Sequence, residues 1–193
     1  MIEPLAALLA DVRGCRVCAG ALALGPRPVV QAAADARILI ISQAPGIRVH
    51  ASGVAWNDAS GDRLRDWTGL STADFYDPAR VALMPMGFCY PGKGPSADLP
   101  PRAECAPLWH QRLLALLPEV RLTLLVGHHA IRRYLPAIPT MTEAVRRFAE
   151  APDRLFPLPH PSWRSTIWMR RHPWFAARIL PALRKRVGAA LAG

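Results

Sequence analysis

Three unbroken apolar runs stand out along the chain, each bounded by polar or Gly/Pro-rich segments. Arg37 to Ile41 (Arg-Ile-Leu-Ile-Ile) shows no polar alternation, the pattern of a strand sealed on both faces. Arg80 to Met86 and Arg121 to Val126 repeat it, and a shorter apolar run leads into His160, so four strands are expected. Between them the spacing turns helical. Residues 4–12 predict a short helix, as does Ser60 to Trp67, where Leu64 and Trp67 share one face among charges. Further helices are expected over Arg102 to Leu117, over His128 to Leu135 after a turn at Gly127, and over Met141 to Ala149. A basic helix from Trp174 to Leu191, bent near Pro181, ends the pattern. Ser42 to Asn57 and the Pro/Gly-rich Tyr90 to Pro101 read as loops. Strands alternating with helices imply right-handed crossovers and an α/β fold, a three-layer α/β/α sandwich with a central, mostly parallel four-stranded sheet.

That architecture gives two short segments a special place. Ser42-Gln43-Ala44-Pro45-Gly46 and His160-Pro161-Ser162-Trp163 each follow an apolar run, and more than a hundred residues separate them. In a parallel sheet the strand ends converge on one crevice, so the two loops are expected to meet at a single site.

Composition adds a partner class. A chain of 193 residues, 51% apolar, is expected to form one domain over 1–193 around one core. The formal charge of +10 points to a polyanion, because neutralised phosphates release condensed counterions. Nearly all of that charge is arginine, with only Lys93 and Lys185 as lysines, a balance that genomic base composition also produces. Met1-Ile2-Glu3-Pro4 does not open a secretory leader, and no apolar stretch reaches the roughly 18 residues of a membrane span. The expectation is a cytoplasmic monomer whose cysteines stay reduced.

Those cysteines fall in two pairs, Cys15 and Cys18 as C-x2-C and Cys89 and Cys105 as C-x15-C around the Pro/Gly loop. Two loop-borne pairs suit a tetrathiolate site for a [4Fe–4S] cluster or a tetrahedral zinc, and spacing alone does not choose. Four unrelated buried thiols are the plainer alternative. A redox C-x-x-C fits less well, since the first pair precedes the first strand instead of lying inside a βαβ unit.

In order and spacing, the early C-x-x-C, the Ser-Gln-Ala-Pro-Gly loop after a strand, the C-x15-C pair and the final His-Pro-Ser resemble the uracil-DNA glycosylase superfamily, especially its bacterial and archaeal iron–sulfur branches. The resemblance implies an α/β/α sandwich, a structural [4Fe–4S] cluster on Cys15, Cys18, Cys89 and Cys105, DNA as partner, and hydrolysis of the N-glycosidic bond of a flipped, damaged base. It implies that His160 donates to the departing base and that Pro161 and Ser162 shape the loop near the DNA backbone. Trp163 and Arg164 would enter the minor groove. Ala44, Pro45 and Gly46 would line the base pocket with Gln43, and Trp56 lies near the position that stacks on the base, where a core tryptophan is the other reading.

The chain also departs from the family pattern. Ala44 stands where the best-known branch has Asp, and Gln43 where the uracil-preferring iron–sulfur branch has Glu; glutamine can orient a water but cannot take its proton. A broader iron–sulfur branch carries its carboxylate downstream, which points to Asp58 in Asn57-Asp58-Ala59-Ser60-Gly61, a residue equally suited to cap a helix. Pro85 occupies the place of the base-reading Asn, so strict uracil discrimination by that contact is not expected. His128, His129 and His172 read as structural or surface residues. The alternatives to a glycosylase are a non-catalytic DNA-binding or damage-sensing module of the same fold and a hydrolase of small nucleosides.

Overall fold

The structure is a computed structural model and describes residues 4–148 and 154–192. Its sheet contains β1 (Ile38–Ile41), β2 (Val81–Leu83), β3 (Leu122–Val126) and β4 (Leu155–Leu158) in the order β2-β1-β3-β4, every pair parallel. Ile38 stands opposite both Val81 and Leu122, and Leu124 opposite Phe156. Strand order reverses between β1 and β3, which opens a crevice at the carboxyl ends of the strands.

Two apolar layers explain why β1 is apolar at every position. Ile38 and Ile40 face a core shared with α3 (Ala59–Thr68), α4 (Thr72–Tyr76) and α9 (Leu180–Ala192) through Leu64, Trp67, Phe75 and Leu183. Leu39 and Ile41 face a second core with α1 (Leu5–Gly14), α5 (Cys105–Ala115) and α6 (His128–Tyr134) through Leu8, Leu113 and Ile131. The result is the expected α/β/α sandwich. α7 (Met141–Arg146) sits at its edge with Ala144 in one core and Val145 in the other; residue 149 of the expected 141–149 helix lies outside the described residues.

Three expectations need correction. The segment 42–57 is not all loop, because α2 (Ile47–Ser52) runs between Gly46 and Gly53. Its last turn is held from outside, where Arg27 Nη1 donates to the carbonyls of His50 and Ala51 at 2.7 Å each. A second helix, α8 (Arg164–Arg171), follows His160; Ser165 is buried and Trp168 and Met169 pack partly buried on the α3/α9 core, so its inward stripe is short and set among exposed arginines. The basic terminal segment runs on as a helix past Pro181, and its irregularity is a π turn at Phe175–Ile179 ahead of that proline, which sits near the start of α9.

α3 fixes the mouth of the crevice. Asp58 caps it, Oδ1 accepting from the N–H groups of Ser60 and Gly61 at 2.9 Å each. Gly61 lies so close to the preceding loop that a Cβ there would be 1.8 Å from the carbonyl oxygen of Trp56. Gly61→Ala should therefore cost about 1–3 kcal/mol in denaturant unfolding. Gly188→Ala, whose Cβ would meet nothing within 4 Å on α9, should be neutral or gain up to about 1 kcal/mol. Equal effects at the two sites would contradict the close approach.

Candidate active site

A cavity of about 390 Å³ opens at the carboxyl ends of β1, β2 and β4. The loop after β1 contributes Gln43, Ala44, Pro45 and Gly46; the approach to α3 contributes Trp56 and Asp58; the segment after β4 contributes His160, Ser162 and Arg164. The two distant loops thus meet as the parallel topology required. Trp163 stands outside the lining with 67% of its surface exposed, and Arg164 stacks its guanidinium over that ring at 5.3 Å. Ile167, one turn further along α8, is also exposed, so a ridge of Trp163, Arg164 and Ile167 borders the cavity.

His160 is held by its neighbours on three sides. The Trp56 ring lies against it with centroids 5.8 Å apart and planes at 24°. Gly127, at the end of β3, is so near that its Cβ would be 3.3 Å from His160 Cβ. Arg63 of α3 donates to the Ser162 carbonyl at 2.5 Å, and Ser162 N–H donates to the His160 carbonyl at 2.9 Å. Burial pushes the imidazole below its ordinary pKa, while Asp58 and Asp98 pull the other way, so the ring is neutral at neutral pH.

Trp56 serves the core and the cavity together. It belongs to the α3/α9 core cluster, is 9% exposed, and adopts φ 58°, a left-handed conformation disfavoured for a bulky residue. The Asp58 cap and the contact between Gly61 and the Trp56 carbonyl hold it there. Asp58 is both cap and lining residue: Oδ1 is bound to the helix, and Oδ2 lies 3.9 Å from where a Cβ on Gly46 would be.

The sequence profile of the uracil DNA glycosylase superfamily matches residues 29–184, which include every cavity-lining residue. The chain belongs to the uracil DNA glycosylase superfamily. The match begins after Cys15 and Cys18, so it fixes the superfamily and not the branch.

The cavity is closed on one side by a wall that carries Pro85. Backbone bonds zip the ends of β1 and β2 together: Met84 N–H donates to Ile40, Met86 to Ser42 and Gly87 to Gln43. The Pro85 carbonyl accepts from His110 Nε2 at 3.0 Å. A carbonyl only accepts, so Nε2 carries the proton, and in the neutral ring Nδ1 then accepts from the Tyr134 hydroxyl at 2.7 Å. Burial drives the His110 pKa down to about 4, with the Arg133 charge acting in the same direction and the Pro85 carbonyl opposing. Sequence reasoning missed this residue because its partners lie 25 positions before and 24 after it.

The four cysteines converge on a separate cavity behind that wall, together with Phe88 and Arg102. Cys15 follows α1, Cys18 precedes a 3-10 turn at Ala19–Ala21, Cys89 follows the β2 wall, and Cys105 opens α5. Burial pushes the Cys89 thiol up to about 11, with Cys105 shifted the same way and the neighbouring sulfurs adding to both. Such thiols become thiolates readily only against a cation, and four around one space fit a metal or an iron–sulfur cluster by donor type. Among the described residues no group of three or more His, Cys, Asp or Glu side chains is drawn close enough together to hold a single metal ion.

Asp98 was not foreseen. It lines the cavity from the segment read only as a Pro/Gly loop; its place in the connection after a parallel strand was the available signal. Arg184 is bonded to the Asp66 and Trp67 carbonyls, and Arg186 to that of Leu155 at the start of β4, the opposite end of the sheet from the cavity. No helix among the described residues is long and apolar enough to cross a membrane.

His110 makes a pH prediction. Its folded pKa lies below the ordinary value of 6.5, so its contribution is complete above pH 6.5 and is lost as pH falls towards about 4. The stability advantage of the native protein over His110→Gln should shrink by roughly 3 kcal/mol between pH 7 and 4 in denaturant titrations. An advantage independent of pH would mean that the ring is not held neutral.

Proposed function

We propose that the protein is a DNA glycosylase that flips a deaminated base, uracil or another, into the cavity and hydrolyses its N-glycosidic bond. The observation that carries this reading is the meeting of Gln43, Asp58 and His160 in one cavity of a superfamily member. As the C1′–N bond breaks, its electron pair leaves with the base, and a neutral His160 N–H donates to the base oxygen where that charge collects. Water attacks C1′ and gives up its proton. Asp58, with Oδ2 turned into the cavity, takes that proton, while the Gln43 amide orients the water. The ridge of Trp163, Arg164 and Ile167 fills the gap left in the duplex, and arginines of α8, not those of α9, meet phosphate.

Pro85 offers no side-chain group to a base edge, which favours a substrate range wider than uracil. The deciding assay is base release from single- and double-stranded oligonucleotides carrying uracil, hypoxanthine or xanthine. Asp58→Asn keeps a capping side chain and should lower release by about 10²–10⁴-fold with DNA affinity retained. His160→Ala should lower it by about 10²–10³-fold. Unchanged turnover in both would reject the site; no release by folded native protein that still binds DNA would establish the binding module instead.

The cysteine cavity is read as the seat of a [4Fe–4S] cluster held by Cys15, Cys18, Cys89 and Cys105, which would cross-link the amino-terminal segment to the β2 wall and α5. Anaerobically purified protein should be brown with about four irons per chain. Colourless protein with one zinc would keep the ligands and replace the cofactor, and metal-free protein of full stability would remove both.

A further inference from the structure

The loop after β2 is more ordered than its composition suggests. Residues 92–99 fold back as a small hairpin, Gly94 N–H donating to the Ala97 carbonyl at 2.7 Å and Leu99 N–H to that of Gly92 at 2.9 Å. Arg164 Nη2 ties it across the cavity to the start of α8 through the Ser96 carbonyl at 2.8 Å. The hairpin thereby holds Asp98 in the wall of the cavity. The Tyr90 hydroxyl donates to its Oδ1 at 3.3 Å, and Tyr90 stays protonated because burial and the carboxylate both raise its pKa.

The other oxygen is the informative one. Asp98 Oδ2 and Asp58 Oδ2 are each 3.9 Å from the point that a Cβ on residue 46 would occupy, and Gly46 leaves that point open. Each carboxylate has one oxygen engaged by the protein and the other turned to the same place, and both act on the charge of His160. Two anions aimed at one side of a cavity are costly without positive charge between them. In glycoside hydrolysis the transition state resembles an oxocarbenium ion, with positive charge on the sugar ring that a nearby ionised carboxylate attracts.

We propose that Asp98 is a second catalytic carboxylate, acting with Asp58 beside Gly46 to stabilise the cationic sugar formed as the base departs. The inference rests on the glycosylase reading. Asp58 takes the proton of the attacking water, C1′–N is broken and C1′–O formed, and Asp98 remains ionised throughout. The arrangement also explains why Gln43 and Ala44 suffice in the first loop: the negative charge comes from 98 and 58 instead.

The test compares binding to two duplexes, one with a cationic pyrrolidine abasic analogue and one with a neutral tetrahydrofuran abasic site. The native protein should prefer the cation by about tenfold or more, the scale of one close charge pair at a partly exposed site. Asp98→Asn should reduce that ratio several-fold and slow base release. Asp35→Asn, an exposed carboxylate before β1, should leave the ratio unchanged while removing the same net charge. A ratio unaffected by Asp98→Asn, or no preference in the native protein, overturns the inference. Base release measured in parallel judges the glycosylase reading separately.

Discussion

β1 has no solvent-facing side. All four of its residues, Ile38 to Ile41, are fully buried, and its backbone groups find partners only if β2 and β3 pair with it on both edges. An unpaired amide or carbonyl in such a place costs on the order of 1–3 kcal/mol, so the central position of β1 is strongly enforced. Once it is fixed, the chain must leave at Ser42 towards the same edge of the sheet from which it leaves β2 and β4. The distance in sequence between Gln43 and His160 is then irrelevant, because the parallel register brings their loops to one crevice.

The crevice also shows how stability and chemistry share residues. Asp58 satisfies two amide groups at the start of α3 with one oxygen and presents the other to the cavity. A helix cap of this kind is worth about 1 kcal/mol and immobilises the carboxylate without a dedicated support. The cost appears next door, in the left-handed backbone of Trp56 and in the demand for glycine at 61. In return the indole is locked against His160, so the imidazole is set by core packing and is not free to swing in solvent.

How far the sequence could be read follows from where each element gets its order. The strands and α3 were legible because their own residues carry the pattern: continuous apolar runs, and Leu64 and Trp67 on one face. α2 was not, since six residues between two glycines derive part of their helicity from Arg27, more than twenty positions away. α8 was missed because its inward stripe is only Ser165, Trp168 and Met169 within eight residues, too short a pattern to read among the surrounding arginines. Gln43, Asp58 and His160 could be proposed from motif position and strand topology. His110 could not, as its place is set by a bond to a backbone carbonyl, and Asp98 offered only its position in the connection after β2, since the hairpin that brings it to the cavity is not legible in the sequence.

The wall between the two cavities bears on what a cofactor here would do. Residues 84–89 line the larger cavity at Met84 and Pro85 and end at Cys89, while α5 begins with Cys105 and, one turn on, holds the Pro85 carbonyl through His110. Anything that clamps Cys89 to Cys105 therefore also clamps the wall against which a base would rest. The proposed hydrolysis of an N-glycosidic bond changes no oxidation state, so it asks nothing of a redox group, and a cluster at this place would act as a brace. The geometry is consistent with that division: the thiols lie behind the wall, and Asp58, Gln43, His160 and Asp98, to which the proposed mechanism assigns the proton, the water and the developing charges, lie in front of it.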